Sequence, residues 1–134
     1  MIPTYEEASF SDLYSQTIES IEVDRDNEVI FFNVALGSTD KISYRMSHYR
    51  ECCESVVIED ICGELEWLIG EPILRAEERI NHDPTVNKSE TLTFSETWTF
   101  YELATIKGSV TIRWYGESNG YYSEKVSFER ILDE

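Results

Sequence analysis

Alternation of apolar and polar residues, broken at short intervals by turn-forming residues, limits this chain more than any other feature. A period of two sends successive side chains to opposite faces, so such segments fold as half-buried strands. Residues 17–23 alternate, Arg25, Asp26 and Asn27 follow as a turn, and residues 28–34 read as the hairpin partner. A second turn over 37–40 leads into residues 41–47, which alternate again and complete a three-stranded meander. The C-terminal third repeats the scheme. Residues 97–105, a Lys107-Gly108 turn, residues 110–115, an Asn119-Gly120 hairpin turn and a closing strand over 121–128 read as a second meander.

Between the meanders, residues 56–61 read as a strand. Residues 63–70 carry Leu65, Leu68 and Ile69 at helical spacing, and 72–80 extend the region as strand or helix. Residues 82–90 are polar, contain Pro84, have no periodicity and read as a loop. At 134 residues the chain fits one core and one domain, residues 1–134. The expected fold is α+β and strand-rich, with two antiparallel meanders, a short central helix and a metal-binding loop.

The loop is expected after residue 47, where His48, Cys52 and Cys53 stand within six residues in a chain with only three cysteines and two histidines. On a helix, Cys53 would point about 140° from the face that His48 and Cys52 share, and on a strand the two cysteines would face opposite sides. They converge only in an irregular loop, the usual setting of a metal knuckle. Thiolates and imidazole in a closed four-coordinate shell suit structural Zn2+. Cys62 is the first choice for a fourth ligand, with Asp60, Glu77, Glu78 and His82 as rivals. Alternatively the cluster is two free thiols beside a surface histidine. A nucleophilic Cys52 or Cys53 with His48 as base is disfavoured by Glu51, Glu54, Glu59 and Asp60 nearby, which raise a thiol pKa. No P-loop, dinucleotide fingerprint, H-E-x-x-H or G-x-S-x-G occurs, and the chain is not expected to be an enzyme.

Charge narrows the partners. The formal net charge is -16, from 27 acidic against 11 basic residues, which opposes direct binding of a nucleic-acid backbone. Nine acids lie between Glu51 and Glu78 against one base, Arg75. Such a belt is either a solvated face or a surface for a basic partner. Glu59, Asp60, Glu64, Glu66 and Glu71 are the candidate contact residues. Trp98, Phe100, Trp114, Tyr115, Tyr121 and Tyr122 read as core and cross-strand pairs, with some rings free to anchor a partner protein. An odd cysteine count, no signal-like opening and no apolar run near the ~18 residues of a membrane span give the expectation of a cytoplasmic protein.

The run His48-x-x-x-Cys52-Cys53-Glu54-Ser55-Val56, then Ile58-Glu59-Asp60-Ile61-x-Gly63-x-Leu65, Ala76-Glu77-Glu78, Thr97-Trp98-Thr99-Phe100-Tyr101 and residues 112–122, resembles a family of small tailed-phage proteins. The resemblance spans about residues 18–128 and marks His48, Cys52 and Cys53 as its hallmark. It implies no particular activity. In kind, a small acidic phage protein resembles the anti-CRISPR inhibitors. That implies a protein of the bacterial host cytosol that binds the positively charged nucleic-acid channel of a Cas9-type effector and blocks loading of target DNA. A metal-dependent or thiol enzyme acting on small metabolites, and a phage accessory protein, are the alternatives.

Overall fold

The computed structural model describes residues 4–36, 41–83, 95–120 and 122–132. Among the described residues nine strands form two antiparallel sheets. β1 (Thr4–Glu7), β2 (Thr17–Asp24), β3 (Val29–Ala35), β4 (Lys41–Ser47) and β9 (Ser127–Leu132) pair in the order β1-β9-β4-β3-β2. β5 (Ser55–Cys62), β6 (Arg75–Asp83), β7 (Ser95–Thr105) and β8 (Gly108–Ser118) pair in the order β5-β8-β7-β6. The expected turn at 37–40 and most of the loop expected over 82–90 fall outside the described residues.

The α+β expectation is corrected to an all-β fold, since only two four-residue 3-10 turns, Phe10–Leu13 and Leu65–Leu68, break the strands among the described residues. The helical spacing over 63–70 is real, but Gly63 and Gly70 take φ of 110° and 85° and close the segment at both ends. Six residues between two such bends cannot propagate an α-helix. The second meander is corrected as well. It consists of β6, β7 and β8, while β9 crosses to the other sheet and pairs with β4 and β1. Residues 122–126, expected within that last strand, are irregular.

The inner faces of both sheets meet in one apolar cluster. Ile30, Phe32, Val34, Tyr44, Met46 and Phe128 come from the first sheet and Val56, Ile58, Tyr101, Leu103, Ile112 and Trp114 from the second. Phe10, from a 3-10 turn, joins them through rings of Phe32, Tyr101 and Phe128 at 6.5, 4.6 and 5.4 Å. Trp114 is fully buried, and its indole N–H donates to Met46 Sδ at 3.2 Å across the layers. A second tie lies at the β5 bulge between Ile58 and Asp60. There Arg25 donates to the Ile58 carbonyl at 3.1 Å, and Glu28 accepts the Ile58 amide.

Candidate functional site

Residues 48–54 carry the chain from β4 in one sheet to β5 in the other, and a buried carboxylate organises them. Glu54 is 0% exposed. It accepts the Glu51 amide at 2.7 Å and the Cys52 amide at 3.1 Å, and faces His48 Nε2 at 2.7 Å. Burial opposes its charge. The Glu51 amide, His48, its own amide and the Cys52 amide outweigh that penalty and hold the carboxyl at about 2. His48 Nδ1 meets the Lys125 carbonyl at 2.6 Å, so both ring nitrogens face acceptors and both are satisfied only with a proton on each. The motif is thus a carboxylate-centred turn that pins the 48–54 loop to residue 125. Sequence reasoning put its weight on the sulfurs and treated Glu54 as one more surface acid.

Cys52 and Cys53 are exposed on this loop and joined to each other as a disulfide between adjacent residues. Arg50 Nε donates to the Cys52 carbonyl at 3.1 Å. Cys62 lies at the other end of β5, on the order of 20 Å along the strand from the loop. Its exposed thiol donates to Asp60 at 3.3 Å, and that bond, with a lesser contribution from burial, pushes its pKa up. Of the four sequence-selected ligands, the structure places His48, Cys52 and Cys53 on one loop and Cys62 apart from it. Among the described residues no group of three or more His, Cys, Asp or Glu is arranged to hold a metal.

The acidic belt separates into spent and unspent carboxylates. Glu59 and Asp60 face Arg113 at 2.5 and 3.6 Å, Glu77 faces Arg75 at 3.0 Å, and Glu78 accepts the Tyr101 hydroxyl at 2.8 Å. Among the described residues no ion pair reaches Glu64, Glu66 or Glu71. These three lie around the 3-10 turn Leu65–Leu68, which docks on the β7–β8 turn. Trp67 covers Gly108 so closely that a Cβ there would come within 2.8 Å of its ring. Lys107 Nζ donates to the Ile69 carbonyl at 2.6 Å, and the Leu74 amide to the Ala104 carbonyl at 2.8 Å.

Those contacts gather three large apolar side chains at one end of the sheet: Ile106 is 74% exposed, Leu74 54% and Trp67 37%. An apolar centre with a charged rim is the anatomy of a protein interface. Trp67, Leu74 and Ile106 were all missed in the sequence. The available signal was an apolar residue, Ile106, directly before Lys107-Gly108 in a turn, where solvent exposure is the rule.

The tail aromatics divide by strand parity. Trp114 points inward, whereas Trp98 and Tyr115 oppose each other on the outer face with centroids 4.5 Å apart. The Arg113 guanidinium sits 5.8 Å from the Trp98 ring. Burial raises the Tyr115 pKa, helped by its hydrogen bonds to Glu96 and Glu117.

No described helix is long and apolar enough to cross a membrane. No curated protein and no solved structure matches the chain. One family does, over residues 11–128, from the first 3-10 turn into β9, and by that match the chain belongs to the family described as Domain of unknown function (DUF7448).

Proposed function

We propose that this is a non-catalytic, acidic binding protein that seats the Trp67, Leu74 and Ile106 end on a basic protein surface. The observation that carries the reading is the exposure of three large apolar residues beside Glu64, Glu66 and Glu71, none of them in an ion pair among the described residues, in a chain of net charge -16. The field steers the encounter, and apolar burial then slows dissociation. Glu59 and Asp60 contribute less, because Arg113 already offsets them. The phage resemblance selects the partner class: a nucleic-acid-handling effector of bacterial defence in the host cytosol, with a Cas9-type nuclease first. Occupying its basic channel keeps target DNA from loading.

The test is a cleavage assay with purified effector, guide and target, the protein being added before the DNA. Inhibition is expected to weaken with added salt and to be lost in Ile106→Asp and in the triple change Glu64→Lys, Glu66→Lys and Glu71→Lys. Undiminished cleavage at large molar excess across several Cas9-type effectors overturns the choice of partner and leaves a phage accessory role in front.

A further inference from the structure

At the opposite end of the β7–β8 hairpin the inner face stops being apolar. Ser95, Thr97, Thr99 and Ser118 are each less than a tenth exposed, and Gly116 lies between Trp114 and Ser118. β9 begins only at Ser127, so the irregular residues 122–126 cover this end in place of a paired strand. The result is a cavity of about 420 Å³, within the usual range for a small-molecule site. Glu78, Ile80, His82, Tyr122, Glu124 and Val126 contribute to its wall.

Glu124 is the unusual member. It is 7% exposed, accepts the Thr97 hydroxyl at 2.6 Å and a second hydrogen bond from the Ser118 hydroxyl. Among the described residues no lysine or arginine forms an ion pair with it, and the neighbouring Lys125 ammonium is directed to Glu7 at 3.2 Å. Gly116 admits it, since a Cβ there would come within 3.0 Å of Glu124 Cβ. Thr97 spends its one proton on Glu124, so it must accept from His82 Nδ1 at 2.7 Å. Glu78 and Glu124 both bring carboxylate oxygens, which only accept, to the cavity wall. A carboxylate held in low dielectric by two hydroxyls gains most from a bound positive charge.

We propose that this cavity is a binding site for a small organic cation, a primary ammonium on an aliphatic body. Glu124 and Glu78 take the charge, while Ile80 and Val126 cover the hydrocarbon. The site lies at the other end of the hairpin from the proposed docking surface and does not depend on it.

The probe is 1,4-diaminobutane, titrated into the full chain at constant ionic strength and followed by calorimetry and by thermal midpoint. Saturable binding with a rise in midpoint is expected. Glu124→Gln should weaken it at least about tenfold, the scale of one lost charge-assisted contact. Ile80→Lys is a second variant at a position 59% exposed, where the fold tolerates change, and it supplies a tethered ammonium that should compete with the probe. The triple change Glu64→Lys, Glu66→Lys and Glu71→Lys should leave binding intact. The proposal is overturned by a non-saturable response, by equal binding in wild type and both pocket variants, by loss of binding in the triple variant, or by tight Mg2+ or Ca2+ binding that excludes the amine.

Discussion

The β7–β8 hairpin is one continuous ladder with two unlike ends. Both strands alternate buried and half-buried residues along nearly their whole length, so the backbone draws no distinction between Tyr101 paired with Ile112 and Thr97 paired with Gly116. The side chains do. In the middle, Tyr101, Leu103, Ile112 and Trp114 fill the space between the sheets. Past Thr99 the inward residues are hydroxyls and a glycine around a buried carboxylate. Period-2 alternation therefore specifies which face is covered, and the chemistry of the inward residues decides whether that cover is core or cavity.

The largest break in the comparison is expected at its apolar centre. Trp114→Ala should cost about 3–5 kcal/mol, the range for large buried aromatics, because it removes a fully buried ring and its contact with Met46. Chemical denaturation at neutral pH measures it. At the polar end, Thr97→Val should cost about 1–3 kcal/mol even though it adds an apolar group, since it strips Glu124 of one donor and His82 of its acceptor. Thr97→Ser should keep most of that stability. A stabilised Val variant would mean this end is simply unfinished core.

The third break concerns the 48–54 loop, which His48 pins to residue 125. The folded value for Glu54, about 2, lies below the ordinary carboxylate range. Its contribution is therefore complete above that range and is lost as pH falls toward 2. Glu54→Gln should be less stable than wild type at neutral pH, and the two stability curves should converge as acid is added through that window. The smallest effect is expected from Cys52→Ser combined with Cys53→Ser, within about 0.5 kcal/mol, because a bond between adjacent residues restrains almost no chain in the unfolded state. The hydrogen bonds of Glu54 hold the loop without it. Elemental analysis of the reduced protein with added zinc shows whether the opened pair takes the metal expected from the sequence.

Strand positions were legible because alternation is local. β4 begins and ends where the pattern over 41–47 placed it, and β7 and β8 are joined by a two-residue turn, Ile106-Lys107, one residue before the Lys107-Gly108 turn the sequence suggests. Pairing between distant segments was not legible: nothing in residues 127–132 marks β9 as the neighbour of β4, because its alternation would suit either sheet. β1 was missed, being four exposed residues at the edge of the sheet beside β9. The candidate site was half visible. The cysteine-rich motif stood out by rarity, while its organising residue, Glu54, is indistinguishable in sequence from eight other acids of the belt. Its burial is set by His48 and by two amides that turn back on it, and neither can be counted along the chain.

Amide chemical-shift mapping with 1,4-diaminobutane tests the contrast between the two ends most directly. The account predicts saturable shifts confined to the cavity end, at residues 78–82, 97–99 and 118–126, with residues 64–74 and 104–108 unmoved. Shifts spread over the acidic surface, as strong around Glu64 and Glu66 as around Glu124, would contradict it and reduce the cavity to one more part of a diffuse negative field.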